Sequence, residues 1–250
     1  MIRVENVTYG CGNTLVLKDI SFSEKEPGIV AIWGRNGAGK TTLMKLLAGH
    51  EKPNKGKIEI MGMTPYNQPK AVQHVCYMQE DHPFSPIWSV KDAIRIASYF
   101  YSNWDEDLAQ RLLKTFQLNE KKSVSKLSKG MKSALQFIIG ISSHAEITIL
   151  DEPSNGLDAS MRKKMHQFLR ESHEQNPRLI LLSTHHIEEI QPLCDSVVVI
   201  HDKKVLLHES IDDIREYGVW LAGEKIKIEK IVDGQKTLEI SQLGSSVKVM

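Results

Sequence analysis

An α/β fold built around a mainly parallel sheet is what this sequence predicts, and three observations predict it. Short apolar runs without polar alternation, Ile29–Trp33, Ile147–Leu150 and Leu179–Ser183, have the length and content of strands buried on both faces. Segments with apolar residues at three- and four-residue intervals separate those runs, as amphipathic helices do. A glycine-rich stretch joins the first run directly to the first helical segment. Strands that alternate with helical crossovers lie parallel in one sheet.

The elements follow in order. Met1–Tyr9 and Thr14–Ser23 alternate apolar and polar residues around Gly10-Cys11-Gly12-Asn13, which predicts an antiparallel hairpin ahead of the parallel sheet. Pro27-Gly28 breaks the chain before Ile29–Trp33, and Leu43, Leu46 and Leu47 set a helix over 40–48. Lys57–Ile60 and Val75–Met78 read as strands. Pro83 and Pro86 mark a change of texture, after which Val90–Tyr101, Leu108–Phe116 and a stretch from about Ser128 to Ser142 are helical: the chain leaves one lobe and returns to it at Ile147–Leu150. Met161–Ser172 follows as a helix, Leu179–Ser183 as a strand, Ile187–Ile190 as a short helix, and Ser196–His201 and Lys204–Leu207 as strands. Lys225–Val232 and Lys236–Ile240 flank Asp233-Gly234, a two-residue hairpin signal that predicts a small β appendage, and Val247–Met250 is itself strand-like.

Composition limits the function classes. The 250 residues are 41% hydrophobic and 25% charged, enough for one large domain with a real core and unlike a disordered chain. Lys and Arg number 32 against 31 Asp and Glu, a net +1, so no global field draws nucleic acid or an anionic membrane. No apolar stretch approaches the ~18 residues that span a bilayer, and Met1–Tyr9 lacks the pattern of a signal peptide. The three cysteines, Cys11, Cys76 and Cys194, fit neither a disulfide framework nor a zinc site; they read as packing residues of a protein of the reducing cytoplasm.

The chemistry is concentrated in two motifs. Gly34-Arg35-Asn36-Gly37-Ala38-Gly39-Lys40-Thr41 fits G-x-x-x-x-G-K-[ST] between a strand and a helix. Glycines let successive N–H groups wrap a phosphate, the helix N-terminus adds partial positive charge, Lys40 neutralises β and γ oxygens, and the Thr41 hydroxyl can hold Mg²⁺. Ile147–Leu150 ends in Asp151-Glu152, at the carboxyl edge of a parallel sheet where ligands sit. Side chains alternate along a strand, so one carboxylate can support a Mg²⁺ shell while the other orients a water.

With these motifs in place, the chain resembles the nucleotide-binding subunits of ATP-binding cassette transporters from about Ile2 to Glu209. Further elements follow in the family's order. Gln79 stands at the glutamine loop. Leu127-Ser128-Lys129-Gly130-Met131 resembles the signature, usually LSGGQ, with Lys129 and Met131 replacing a glycine and a glutamine. Ser154-Asn155-Gly156-Leu157-Asp158 resembles the loop that crosses the dimer interface. Ser183-Thr184-His185 looks like the switch histidine, chosen over His186 because it directly follows Ser-Thr, and Tyr9 takes the place of the aromatic that stacks on adenine.

The resemblance implies a P-loop, RecA-like core at 1–81 and 145–215, an inserted helical subdomain at 82–144, together an ATPase domain over 1–215, and a C-terminal β extension at 216–250. It implies ATP and Mg²⁺ as cofactors. Lys40, Gln79, Glu152 and His185 would be catalytic, and Thr41, Gln79 and Asp151 would serve the metal. Tyr9, Gly34, Asn36, Gly37, Ala38, Gly39, Lys40, Thr41 and Thr42 would bind nucleotide, joined across a head-to-tail dimer by Ser128, Gly130 and Asp158 of a second ATPase subunit. An integral-membrane permease would dock near Gln79 and the helical subdomain, where Pro83, Phe84, Pro86, Ile87 and Trp88 offer an apolar surface, and would hold the subunit at the cytoplasmic membrane face. The short single cassette most resembles bacterial exporters of peptides, antibiotics or other amphipathic compounds. Two rivals are a non-transport cassette ATPase and a nucleotide-switched regulatory subunit. No Asn-Lys-x-Asp segment marks guanine reading.

Overall fold

The structure, a computed structural model, describes residues 1–12, 14–81, 83–185, 190–217, 221–224, 240–243 and 246–249. Its contacts divide the chain into two units, Met1–His208 and Glu209–Met250.

The first unit holds two sheets. Strands β1 (Ile2–Cys11) and β2 (Thr14–Glu24) pair antiparallel, and β4 (Lys55–Ile60) pairs antiparallel with the other edge of β1, giving the order β2-β1-β4. Cys11 pairs with Thr14, so the hairpin loop is two residues long. Cys11 is exposed there; Cys76 and Cys194 are buried, so only those two pack.

The second sheet has the order β5-β6-β7-β3-β8-β9. Its strands β3 (Gly28–Trp33), β5 (Val75–Met78), β6 (Ile147–Leu150) and β7 (Leu179–Thr184) are parallel, as is β8 (Ser196–His201) to β3. They are almost wholly buried, which accounts for their unbroken apolar runs. Only two residues, Asp202 and Lys203, both at positive φ, join β8 to its neighbour β9 (Lys204–Ser210), a connection only antiparallel strands allow. Between the sheets lies one core, formed by Ile2, Val4, Ile20 and Ile58 from one side and Val30, Ile32, Ile149 and Leu181 from the other, with Leu43, Met44 and Leu47 of α1 (Lys40–Leu47).

Between β5 and β6 the chain makes three helices, α3 (Val90–Phe100), α4 (Glu106–Thr115) and α5 (Lys129–Ser142), after the single turn α2 (Pro69–Val72) that precedes β5. Local chemistry fixes their starts. Ser89 and Asp92 form a reciprocal capping box on α3, the Asp105 carboxylate accepts from the Leu108 N–H at 2.8 Å on α4, and the Ser128 hydroxyl accepts from the Met131 N–H at 3.3 Å on α5. Asp158 caps α6 (Ala159–Gln175) in the same way, at 2.9 Å from the Met161 N–H.

Described residues of the second unit form α7 (Ile211–Tyr217) and a sheet of β10 (Leu221–Glu224), β12 (Ser246–Val249) and β11 (Ile240–Leu243) in that order. The helix expected at Ile187–Ile190 and the hairpin at Asp233-Gly234 fall outside the described residues, apart from Ile190 and Ile240. Among the described residues no helix is long and apolar enough to cross a membrane.

Candidate functional site

The glycine loop links β3 to α1 and can be built only from glycines at its turning points. Gly37 and Gly39 have φ of 81° and 105°, and a Cβ on Gly39 would lie 2.5 Å from Leu17 Cδ2, so the loop is pressed onto β2. Gly34 is held by the same logic: its Cβ would meet the Ile200 carbonyl oxygen at 2.6 Å. The Gly39 bend starts α1, whose first turn opens toward the loop with no side chain capping it. Those free N–H groups and the helix dipole make an anion cradle.

Lys40, only 6% exposed, reaches back into that cradle. Its ammonium donates to the Gly34 carbonyl at 2.8 Å and pairs with Glu152 Oε1 at 3.2 Å. The other Glu152 oxygen, Oε2, is 2.9 Å from His185 Nδ1. Glu152 has φ 49°, left-handed for a residue with a side chain, and the surrounding contacts must hold that strain. Sequence reasoning missed one of these contacts. Ser183, fully buried beside β6, accepts from the Glu152 N–H at 2.8 Å and donates to Asp151 Oδ1 at 2.6 Å, so one hydroxyl positions both carboxylates. The parallel register of β6 with β7, pairing Leu150 with Leu182, sets it there.

Asp151 is 1% exposed, and Oδ2 finds no hydrogen-bond partner among the described residues. Burial raises its pKa above the usual carboxylate range, against the Ser183 and Thr41 hydroxyls, which lower it; Glu152 and Glu80 push it further up. A buried carboxylate oxygen with a free lone pair and a threonine hydroxyl beside it suit a hard divalent cation that keeps several waters and phosphate ligands. Thr41 and Asp151 therefore fit Mg²⁺.

A cleft of about 240 Å³ is lined by Asn36, Gly37, Gly39, Lys40, Thr41 and Thr42, with Val16, Glu80 and Glu152 completing its wall. Its volume is below the roughly 300–1,000 Å³ of sites that enclose a whole small molecule, and suits a polyphosphate tail. Gly34 and Ala38 shape it from behind, Ala38 against the core.

Other expected residues stand apart from this cleft. The Gln79 amide donates to the Asp81 carbonyl at 3.3 Å, and it is Glu80, one residue on, that reaches the cleft. Tyr9 is half-buried against the core, its phenol raised in pKa by burial and by a hydrogen bond to Glu51. Val16 and Glu80 carry no sequence signal of their own; only the pairing of β2 with β1 and the end of β5 beside β6 bring them here. Ser128, Gly130 and Asp158 line a separate depression of about 190 Å³ with Met131, Gly156 and Met161. There Gly130 is obligatory, since a Cβ would sit 2.2 Å from the Gly156 carbonyl oxygen.

Known proteins resemble this chain in sequence and fold. A family model described as "ABC transporter" matches residues 17–155. The ABC transporter ATP-binding protein YtrB of Bacillus subtilis is 27% identical over 97% of this chain and 80% of its own length. The bacitracin transport ATP-binding protein BcrA of Bacillus licheniformis is 29% identical over 86% of this chain and 72% of its own. A solved structure described as the ATP-binding subunit of an ABC transporter is similar over 86% of this chain and 92% of its own, with a TM-score of 0.76 and 28% identity.

Proposed function

The chain belongs to the ABC transporter family, and on that premise we propose how its residues bind and hydrolyse ATP and what the cycle drives. The observation that carries the chemistry is the buried Lys40 ammonium, set between the Gly34 carbonyl and Glu152 at a helix N-terminus. Polyphosphate oxygens replace Glu152 Oε1 as the partner of Lys40. That leaves the carboxylate free to accept a proton from an in-line water while His185 remains at Oε2 and reaches toward the γ-phosphate. Thr41 and Asp151, with Gln79 as the third expected contributor, would hold Mg²⁺, which supplies charge neutralisation at the phosphate oxygens. Asn36, Gly37, Ala38, Gly39 and Thr42 grip the phosphates, and Tyr9 stacks on the adenine.

The separate depression at Ser128, Gly130 and Asp158 supports a head-to-tail dimer in which each subunit's depression faces the other's phosphate cleft. Closure then requires ATP, and hydrolysis releases it. Within this scheme residues 82–144 act as the helical subdomain of an ATPase domain over 1–215.

The cycle drives a separate membrane permease. Docking on the helical side is supported by Ile87, Tyr99 and Phe100, which are large, apolar and mostly exposed, the latter two beside a cleft of about 820 Å³ with Trp104 and His74. Export of peptides, antibiotics or other amphipathic compounds, at the cytoplasmic membrane face, is supported by the likeness to the bacitracin transport protein. Purified protein should release phosphate from ATP in a Mg²⁺-dependent steady state, and Lys40→Ala should lose ATP affinity by about a hundredfold. Calorimetry giving wild-type affinity for that variant would remove the phosphate-loop assignment.

A further inference from the structure

The Glu80 side chain has no role in the chemistry above, yet it stands in the wall of the phosphate cleft beside Lys40 and Glu152. Two carboxylates thus border a site for a polyanion that has one lysine, and each has its own cation. Glu152 takes Lys40. Glu80 takes Lys129, whose Nζ is 2.8 Å from Glu80 Oε1. The Asn155 amide donates to the same oxygen at 2.5 Å, and the Gln136 amide to the Glu80 carbonyl at 2.9 Å. The Ser133 hydroxyl in turn donates to the Asn155 carbonyl at 2.7 Å, and the Asn155 N–H to that of Glu152 at 3.0 Å. One carboxylate therefore joins three segments: the end of β5, the first turns of α5, and the loop that carries Glu152.

We propose that Lys129 serves, within its own subunit, as the counter-ion of Glu80, and that this pair positions the start of α5 and sets the ATP affinity of the phosphate cleft. Lys129 stands where related signatures have a glycine, so its charge would otherwise be read as a direct contact to nucleotide held by the partner subunit. The geometry pairs it with Glu80 of its own subunit instead, with its side chain still 60% exposed. Paired, Glu80 contributes little net field to the cleft. Stripped of Lys129, it is a bare carboxylate facing the triphosphate; neutralised, it leaves the cleft more positive than before. The two halves of one ion pair must therefore act on ATP binding with opposite signs, an outcome that mere loss of a structural contact does not produce.

This inference rests on the cleft being the ATP site, and the test separates the two claims. ATP binding without turnover is measured by calorimetry with a non-hydrolysable ATP analogue and Mg²⁺ on the full chain, for wild type, Glu80→Gln, Lys129→Gln and Lys40→Ala. Glu80→Gln should bind about three- to tenfold tighter and Lys129→Gln about three- to tenfold weaker at low salt. Both shifts should shrink toward wild type at about 0.5 M salt, where the screening length falls to a few ångströms. Glu80→Ala and Lys129→Met should repeat the signs should either glutamine variant fold poorly. Lys40→Ala binding like wild type would overturn the cleft itself. Lys40→Ala binding weakly, with Glu80→Gln and Lys129→Gln shifting affinity in the same direction or by less than about twofold, would overturn the pairing alone.

Discussion

The phosphate cleft and the signature depression are two concave sites of similar size in one unit, built on opposite plans. The cleft is made of buried charge: Lys40, Asp151 and Glu152 are each less than a tenth exposed, and each is held by another charged or hydroxyl group. The depression is made of backbone, helix caps and the apolar side chains of Phe116, Met131, Leu157 and Met161. Ser128 and Asp158 already accept from the first turns of their own helices, and Gly130 is fixed by its approach to Gly156. The first arrangement can neutralise and activate, because its side chains can exchange partners. The second offers N–H groups, an apolar lining and shape, which suits a surface that completes a site held elsewhere. Damage to the cleft should therefore stop chemistry, and damage to the depression should stop assembly.

The largest effect expected on the cleft side comes from Glu152→Gln, which removes the carboxylate proposed to orient the water. Steady-state phosphate release should fall by about a hundredfold or more while ATP binding persists. Undiminished release would break the assignment of the two roles. On the depression side, Gly130→Ala drives a methyl into the Gly156 carbonyl. It should cost about 1–3 kcal/mol of stability and abolish cooperative ATPase activity, yet leave ATP affinity of the single subunit unchanged. Affinity loss in that variant would mean that the two regions are one site within a chain.

Ser183→Ala sharpens the comparison from behind the cleft. It orphans the Glu152 N–H and one Asp151 oxygen, so chemical denaturation should show a loss of about 1–3 kcal/mol, together with a lowered turnover and little change in ATP binding. A smaller effect is expected at Asp151. Its folded-state pKa is raised, so its stability contribution is fullest below the unfolded value near about 4 and is lost as pH rises through the folded value. At neutral pH without Mg²⁺ the buried charge is a liability, and Asp151→Asn should melt higher than wild type while losing Mg²⁺-dependent hydrolysis. The gap in melting temperature should close on acidification toward pH about 4; a gap that widens there would contradict the cause assigned to the shift.

Much of this was legible in the sequence because it is local. The glycine loop between an apolar run and a leucine-spaced helix, the Asp151-Glu152 strand end, and Ser128 as a helix start all follow from neighbours a few residues apart; α6, expected from Met161, starts at Ala159 with Asp158 as its cap. What was not legible depends on partners far along the chain. Strand β4 joins the edge of β1 across some forty residues, so a predicted hairpin is a three-stranded sheet. Ser183 reads in the sequence only as part of the run leading to His185; the register of β6 with β7 places it under both carboxylates. Arg178 gave no signal at all, yet it is buried and donates to the carbonyls of Ile141, Ser172 and Asn176, tying the ends of α5 and α6. Burial lowers its pKa to about 10, with the two helix C-termini as its electrostatic support. Lys129 is marked in the sequence only by its place in the signature, and spacing cannot show which way a side chain turns; in the structure its ammonium lies 2.8 Å from Glu80 Oε1.

The whole mechanism depends on the cleft of one subunit being completed by the depression of another. Sedimentation equilibrium of the Glu152→Gln protein with ATP and Mg²⁺ decides it. The expected masses are two chains with ATP, one chain with ADP, and one chain with ATP once Gly130→Ala is added. A single-chain mass for Glu152→Gln under saturating ATP, with nucleotide bound, would contradict it.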